Sequence, residues 1–229
     1  MKALPRKLLP ALALALSAAA CGEDEATPAP PGVAPVETSL AARPTAPTGQ
    51  QCPEQLNVVT GMRTALNPTT MQTEQYEYAH GRGCVHGTVA AVWAALRDPE
   101  VTVDRRRVSE FMVTRDTEPQ YPVTFRVHNI VRDVVTLEFD NTWRLAPLEG
   151  TVDEPRVVVA WYQKTFGSSF ITILRGSFVA RPIDADTVEI EGVRHIKSAG
   201  SGAEDASTYL QDAFNSVLAR VHGRPLPRY

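Results

Sequence analysis

The chain has 229 residues, 43% of them hydrophobic, with a formal net charge of −3 and a pI near 6.0. This composition is typical of one globular domain with some additional sequence, and it lacks the strongly basic balance of a nucleic-acid-binding protein. We therefore exclude nucleic acid as a partner, and we expect no metal and no other cofactor.

Residues 1–20 have the pattern of a secretory signal peptide. A basic segment, "MKALPRK", precedes an apolar run that is shorter than the roughly 20 residues of a membrane-spanning helix. The small residues before Cys21 resemble a bacterial lipobox, in which the cysteine is acylated, with palmitate for example, and becomes the mature N-terminus. Ala18 departs from this pattern, because Leu is usual there. The alternative is ordinary cleavage after Ala20, which leaves a soluble periplasmic protein.

Residues 21–50 are rich in Pro, Ala and Thr and contain few large apolar side chains. Such a composition buries too little surface to offset the entropy of ordering, so we expect a disordered tether behind the lipidated Cys21. The resulting hypothesis is a domain in the cell envelope, in the periplasm or outside the cell, with the membrane as a partner through its lipid anchor. The sequence does not distinguish the inner from the outer membrane and gives no oligomeric state.

Two further cysteines, Cys52 and Cys84, follow the tether. In an oxidising compartment an even number favours a disulfide, which joins the N-terminal extension, residues 51–73, to the domain and contributes on the order of 3 kcal/mol. Two unpaired buried thiols are the alternative. His80 and His86 flank Cys84, but the spacing fits no familiar zinc site.

The first predicted strand is "EQYEYAHGRGCV", from Glu74. The next segment, "GTVAAVWAALRDPE", carries an apolar stripe at helical spacing that includes Val92, Trp93 and Leu96. Its other positions are mostly alanine. The pattern predicts a helix that packs on more than one surface.

Several of the following segments alternate with a period of two, which is typical of antiparallel strands with one buried face and one exposed face. The strands around Trp161 and Phe178 are apolar on both faces, so the pattern does not assign their inward side. Turn residues near Arg132 and at residues 167–169 indicate hairpins. Together with the strand from Glu74 the sheet has about seven strands. The predicted strands begin at Glu110, Tyr121, Val135, Arg156, Phe170 and Asp186.

The last predicted element is a long amphipathic helix. Ser201 followed by Glu204 has the spacing of a capping box, and apolar residues repeat at helical spacing as far as Val221. Gly223 and Pro225 end the helix, and residues 224–229 form a short tail.

This order of elements resembles the START-like, helix-grip superfamily, also called SRPBCC proteins. The local signature is an apolar first helix with Trp93 that ends in Asp98 and Pro99, and the resemblance covers residues 74–223. It implies an α+β fold in which a curved antiparallel sheet of about seven strands grips the long C-terminal helix, with short helices between the first and second strands. It also implies a cavity between sheet and helix, but no particular chemistry.

We predict that the buried faces of the strands and of the last helix line this cavity. Asn141 and Arg194 share register with these faces, and a buried amide or guanidinium needs a partner, which the polar group of a ligand would provide. The alternative is a solid core in which water satisfies both side chains near strand ends. The predicted lining residues are Val123, Phe125, Val127, Val135, Leu137, Phe139, Asn141, Ile190, Arg194, Leu210, Phe214 and Val217.

The sequence gives no catalytic residue. His128 and His195 are predicted on exposed strand faces, and Glu138 and Asp140 on a solvated, charge-balanced face. The leading hypothesis is therefore a membrane-anchored protein that binds or carries a small hydrophobic ligand, such as a lipid, an isoprenoid or a polyketide-like compound. The alternatives are a cyclase or hydrolase on the same fold, and an envelope scaffold with a solid core.

Overall fold

The computed structural model describes residues 52–66, 71, 73–200 and 202–229. It contains one antiparallel sheet of eight strands in the order β1-β2-β8-β7-β6-β5-β4-β3. The signal peptide, Cys21, the tether and Ser201 lie outside the described residues. The strands are β1 (Leu56–Leu66), β2 (Thr73–His86), β3 (Glu110–Arg115), β4 (Val123–Arg132), β5 (Thr136–Gly150), β6 (Pro155–Gly167), β7 (Ile171–Pro182) and β8 (Thr187–Ser198).

The strands from β3 to β8 pair in chain order, and β8 then pairs with β2. The alternating pattern predicted this arrangement because each hairpin connection brings consecutive strands together antiparallel. At the turn between β6 and β7, Gly167 has a φ of +97°, which a side chain at this position would strain. The predicted α+β helix-grip fold is confirmed.

The sheet has one more strand than predicted, because the N-terminal extension forms β1 along the edge of β2. Leu56 is its buried anchor, while Val59 and Met62 are exposed. The predicted disulfide between Cys52 and Cys84 is present and fastens the beginning of this extension to β2.

Two helices, α1 (Val89–Leu96) and α2 (Pro99–Thr102), connect β2 to β3. Thr88 caps α1 by accepting a hydrogen bond from the backbone of Ala91, and Asp98 caps α2. The predicted stripe of α1 is buried, and α1 packs against β6, β7 and the last helix, so it closes one end of the sheet. Trp93 donates a hydrogen bond from Nε1 to the carbonyl of Val152, 3.1 Å away.

The last helix, α3 (Ala203–Val221), lies across β1, β2 and β8 and also contacts α1 and α2. Its N-cap is Gly202, which makes no side-chain capping bond, so the helix begins one residue later than a capping box at Ser201 requires. The acidic Glu204 and Asp205 in its first turn instead favour the positive end of the helix dipole. None of the described helices is long and apolar enough to cross a membrane.

The outer face of the sheet is less exposed than predicted. His195 is only 2% exposed, because it packs between Tyr76 and Tyr78, at ring distances of 4.8 and 6.5 Å. Glu191 is equally covered and accepts a hydrogen bond from His80 at 3.0 Å. The prediction of an exposed His195 is wrong because long side chains on neighbouring strands of a wide sheet cover one another.

Asp140, predicted on a solvated face, is also buried. It pairs with the ring of His128 at 2.7 Å and with Arg126 at 3.6 Å. Glu138, two positions earlier, is exposed. The face is charge-balanced as predicted, but Asp140 is screened from solvent by its partners.

Candidate functional site: a cavity between the sheet and helix α3

A half-enclosed cavity of about 240 Å³ lies between the inner faces of β4 to β8, the first turns of α3 and the loop that joins α2 to β3. It forms because α3 crosses the opposite half of the sheet, over β1, β2 and β8, and α1 packs on only one end of β6 and β7, so the rest of the inner faces of β4 to β7 has no covering helix. The mouth lies beside the turn between β4 and β5, where Val134 is 97% exposed.

The walls of the cavity are mostly apolar. Cross-strand pairing brings Val127 opposite Asn141 and Val131 opposite Leu137, and it places Leu174 beside Ile196. These residues alternate with outward-facing ones, so the period-two pattern accounts for the apolar walls. The apolar side chains that line the cavity are Val103, Val108, Val127, Val131, Val134, Val135, Leu137, Phe139, Trp143, Ile171, Leu174, Ile196 and Ala199.

The floor of the cavity is a row of cross-strand neighbours on β5 to β8, namely Trp143, Tyr162, Gly176 and Arg194. The Tyr162 ring stacks on Trp143 with a centroid distance of 4.4 Å. A Cβ atom at Gly176 would lie 2.5 Å from the Tyr162 hydroxyl and 2.3 Å from the carbonyl of Val193. Glycine at position 176 is therefore needed to seat the Tyr162 ring on the floor.

Arg194 is buried at the floor and joins three parts of the structure. Its Nη2 atom lies 3.3 Å from Oδ2 of Asp104, in the loop between α2 and β3. Its guanidinium carbon lies 3.8 Å from the centre of the Tyr209 ring on α3, a close cation–π contact. Tyr209 in turn donates a hydrogen bond to the carbonyl of Thr102 at 2.9 Å. These contacts fix α3 and the α2–β3 loop against the sheet.

Burial sets the protonation of this cluster. It raises the pKa of Tyr162 to about 12, although the positive charge of Arg194 opposes the shift. It also raises the pKa of Tyr209 well above its ordinary value. Burial alone lowers the pKa of Arg194, but the adjacent Tyr162 and Asp104 outweigh it and raise the pKa. At neutral pH both tyrosines keep their protons and Arg194 is charged.

Four buried polar atoms in the lining have no hydrogen-bond partner among the described residues. They are Oδ1 of Asn141, the hydroxyl of Tyr162, Nε of Arg194 and the hydroxyl of Ser198. The Tyr162 hydroxyl lies beside Arg194 and Tyr209, but without a well-aligned hydrogen bond to either. Buried polar atoms in folded proteins are nearly always paired, so four such atoms around one cavity mark the place where a polar group of a ligand is best accommodated. Asn129 differs from them, because its amide donates to the carbonyls of Val127 and Phe139.

Half of the predicted lining residues lie at the cavity. Asn141 and Arg194 are in the middle of their strands and not at the ends, where water would satisfy them. The predicted residues that line the cavity are Val127, Val135, Leu137, Phe139, Asn141 and Arg194.

The other half, Val123, Phe125, Ile190, Leu210, Phe214 and Val217, pack elsewhere in the core. Leu210, Phe214 and Val217 lie on the part of α3 that packs closely on β2 and β8. A Cβ atom at Gly83 would lie only 3.0 Å from the Phe214 ring, which shows how closely helix and sheet approach. Phe125 stacks on the far side of Trp143, at 5.8 Å.

Asp104, Tyr162 and Tyr209 are site residues that the buried-face pattern does not predict. The strand around Tyr162 is apolar on both faces, so its inward side cannot be read from alternation. Asp104 lies in a loop and has no periodic signal. Asn129, which also lines the cavity, could have been predicted from the alternating pattern, because it lies two residues after Val127 and on the same face of β4.

None of the five histidines lines the cavity. Some of them are hydrogen-bonded to carboxylates elsewhere in the structure; Nε2 of His222, for example, lies 2.7 Å from Oε1 of Glu54. Among the residues that the structure describes, no group of three His, Cys, Asp or Glu side chains is placed to hold a metal ion.

The sequence matches no protein-family model. It also matches no curated protein at a significant level.

Solved structures that are similar to this one include three proteins with low sequence identity to the chain. The Zhui aromatase/cyclase from Streptomyces sp. R1128 is 11% identical, with a TM-score of 0.41 over 74% of this chain and 93% of that one. The lipid transfer and protein localization domain of human StarD13 is 10% identical, with a TM-score of 0.43 over 72% and 83%. A truncated norcoclaurine synthase from Thalictrum flavum is 11% identical, with a TM-score of 0.44 over 75% and 99%.

At this level of similarity none of these proteins gives the chain an activity or a ligand. The fold follows from the pairing of its own strands, the two short helices after β2 and the helix laid across the sheet. The chain has an α+β helix-grip fold, in which a long C-terminal helix lies across one antiparallel sheet.

Proposed function

We propose that the protein binds a small hydrophobic ligand in the cavity between the sheet and α3. The observation that carries this proposal is the combination of apolar walls with four unpartnered polar atoms in one half-enclosed space. Ligand sites are typically concave and mostly apolar, with a few polar groups that fix orientation.

The volume limits the ligand. A cavity of about 150 Å³ admits a benzene molecule, and ligand pockets usually reach about 300 to 1,000 Å³. At about 240 Å³, the enclosed space accommodates a substituted single ring or a short branched chain. It is too small for both acyl chains of a phospholipid, so among the ligands considered from the sequence a short isoprenoid or a polyketide-like compound with a single aromatic ring fits best.

Calorimetric titration of the full-length protein with propylbenzene and 4-propylphenol tests the proposal. We expect saturable binding of one molecule per chain. Val131→Trp places a larger ring in the wall near the mouth, where Val131 is half-buried and a larger side chain can be accommodated without unfolding the core. It should weaken binding at least about tenfold, the equivalent of about 1.4 kcal/mol of steric overlap.

Val59→Trp is the matched control, because Val59 is about half exposed on the edge strand β1 and does not line the cavity. It should bind as the wild type does. Failure of both compounds to bind the wild type, or equal binding by both variants, would contradict the proposal.

An enzyme of the cyclase or hydrolase kind is a second candidate, favoured by one observation. Ionisable side chains do face the cavity, namely Arg194, Tyr162, Tyr209 and Asp104. The raised pKa values of the tyrosines make them hydrogen-bond donors and not bases, and Asp104 is occupied by Arg194. This set can polarise a carbonyl group but offers a poor general base, so binding is the better-supported function.

Asp104→Asn separates the two candidates. If the protein converts its ligand, compounds extracted from the variant and from the wild type should differ in mass, because the variant retains the unconverted compound. If it only binds, the extracted compounds should be the same. The scaffold alternative requires a filled interior, which the cavity does not fit.

We also propose that the protein is exported and anchored to a bacterial membrane through Cys21. The disulfide supports export, because such bonds persist in oxidising compartments. Glu77 of β2 pairs with cavity-lining Ile196, and Cys84 lies seven residues farther along β2, roughly 23 Å away. A tether that ends at Cys52 therefore joins the domain far from the mouth and leaves it accessible.

Cys21→Ala should release the protein from the membrane fraction and abolish incorporation of labelled palmitate. Ser17→Ala, which also alters the segment before the cleavage site, is the control and should remain membrane-bound. A Cys21→Ala protein that stays in the membrane fraction would contradict the anchor.

A further inference from the structure

We infer that the cavity selects ligands with an uncharged hydroxyl head, which lies on the floor against Tyr162 and Arg194 while the apolar part points to the mouth. This inference rests on the proposed function and specifies its ligand class. The distribution of charge and of unpartnered atoms over the cavity carries it.

The charges that line the cavity are already matched. Arg194 pairs with Asp104, and Arg107 forms an ion pair with Asp205 at the start of α3. Asp133 adds a negative charge near the mouth, so the lining has two arginines against three aspartates. A carboxylate or phosphate on the floor would add a buried charge with no free counter-ion, which is strongly unfavourable. The head group is therefore neutral.

The unpartnered atoms define what the head must offer. Nε of Arg194 can only donate a hydrogen bond, so the ligand needs an acceptor. Oδ1 of Asn141 can only accept, so the ligand also needs a donor. A hydroxyl can act both as acceptor and as donor, so it suits a floor on which Arg194 donates and the Tyr162 hydroxyl can act as either partner. A ketone or ester would satisfy only the donors, and a hydrocarbon would satisfy neither kind.

The position of these atoms sets the orientation. Tyr162 and Arg194 belong to the floor row, and Asn141 is two residues from Trp143 of the same row along β5. Toward the mouth the lining becomes apolar, with Val131, Leu137 and the exposed Val134. A ligand that enters head first therefore buries its polar group where the unpartnered atoms are and keeps its apolar part on the apolar walls.

Three compounds that differ in one substituent test the inference, namely propylbenzene, 4-propylphenol and 4-propylbenzoate. Titrated calorimetrically into the full-length protein at pH 7, 4-propylphenol should bind roughly tenfold more tightly than propylbenzene, since it makes one or two additional buried hydrogen bonds. The benzoate should bind more weakly than the phenol. Tyr162→Phe should lower the affinity for the phenol several-fold and leave that for propylbenzene unchanged.

Tyr76→Phe is the matched control. Tyr76 is a buried tyrosine of β2 that packs against His195 and does not line the cavity. Loss of its hydroxyl should leave the affinity for the phenol within about twofold. Ser198→Ala tests a different polar atom of the lining, because Ser198 lies four residues along β8 from Arg194, roughly 13 Å from the floor.

The failure of this inference is distinguishable from failure of the proposed function. If none of the three compounds binds, the proposed function fails and the inference with it. If phenol and propylbenzene bind equally, or the benzoate binds most tightly, ligand binding stands and the neutral hydroxyl head is wrong. A preference for the phenol that is lost in Ser198→Ala and kept in Tyr162→Phe would contradict the head-first orientation.

Discussion

Tyr162→Phe is expected to raise the stability of the protein in the absence of ligand. The Tyr162 side chain is 1% exposed, and its hydroxyl lies beside Arg194 and Tyr209 without a well-aligned hydrogen bond to either. Burying a hydroxyl without a partner costs about 1 to 3 kcal/mol in proteins. Phenylalanine removes this cost and keeps the ring on Trp143, so we expect a gain of about 1 kcal/mol or more.

Tyr209→Phe is the matched comparison and should have the opposite sign. Tyr209 is equally buried, but its hydroxyl donates to the carbonyl of Thr102 at 2.9 Å. Losing this bond leaves a buried carbonyl without its donor and should cost about 1 to 2 kcal/mol. The two substitutions delete the same atom from the same residue type, so the difference between them isolates hydrogen bonding.

Thermal unfolding of the full-length variants, followed by calorimetry, measures both effects. For a chain of this size, 1 kcal/mol shifts Tm by about 2 to 4 °C, so Tm should rise for Tyr162→Phe and fall for Tyr209→Phe. If Tyr162→Phe is destabilised as much as Tyr209→Phe, the Tyr162 hydroxyl is hydrogen-bonded in the free protein and the reasoning is refuted. A rise in Tm together with weaker phenol binding would identify Tyr162 as a residue kept for binding at the expense of stability.

Three further outcomes follow from the fold. Reduction of the disulfide between Cys52 and Cys84, which are 32 residues apart, should lower the free energy of unfolding by roughly 3 to 4 kcal/mol in urea titrations, and an unchanged midpoint would contradict its role in fastening β1. Burial, aided by nearby arginines, lowers the pKa of His195 to about 3, so the unfolded chain binds a proton that the folded chain does not between about pH 6.5 and pH 3. The free energy of unfolding should therefore fall on acidification from pH 7 to pH 5, by at most about 1.4 kcal/mol per pH unit. His195→Gln should make this dependence on pH weaker. If the variant has the same dependence on pH as the wild type, groups other than His195 cause it. Gly167→Ala should destabilise by more than about 2 kcal/mol, because it combines a positive φ with a Cβ only 2.2 Å from the carbonyl of Glu138. Gly200→Ala, with a positive φ but no atom within 4 Å, should cost only about 1 kcal/mol, and equal losses of stability in urea would exclude the steric contribution.

Apolar periodicity predicted most of the strands from β2 to β8 and the helix α3, because these elements bury apolar faces. The segment of β3 was also predicted as a strand, although five of its six residues are exposed. Periodicity did not predict β1. In β1 the apolar residues Val59 and Met62 are exposed, and among the described side chains of this strand only Leu56 is deeply buried. An edge strand needs little apolar surface, since pairing with β2 and the disulfide hold it in place.

Only half of the predicted lining residues lie at the cavity, for a related reason. Alternation shows which face of a strand is buried, but not what covers it. Phe139 and Phe125 have the same pattern, and yet one lines the cavity and the other stacks on Trp143. The difference depends on where α3 crosses the sheet, which is a property of the whole packing and not of any one strand.

Polar residues on buried faces were the more informative signal. Asn141 and Arg194 break the apolar pattern of their strands, and both lie at the cavity with unpartnered atoms. Asp104, the partner of Arg194, comes from a loop 90 residues earlier in the chain. Sequence periodicity does not predict such a pairing, which only the three-dimensional structure shows.

A crystal structure of the full-length protein with 4-iodophenol tests ligand binding most directly, because the anomalous signal of iodine locates the ligand without bias. We expect the iodine among Val131, Leu137 and Leu174 and the phenolic oxygen within about 3 Å of the Tyr162 hydroxyl. Iodine only on the outer surface, or an interior in which side chains fill the space above Trp143, would contradict a ligand-binding cavity.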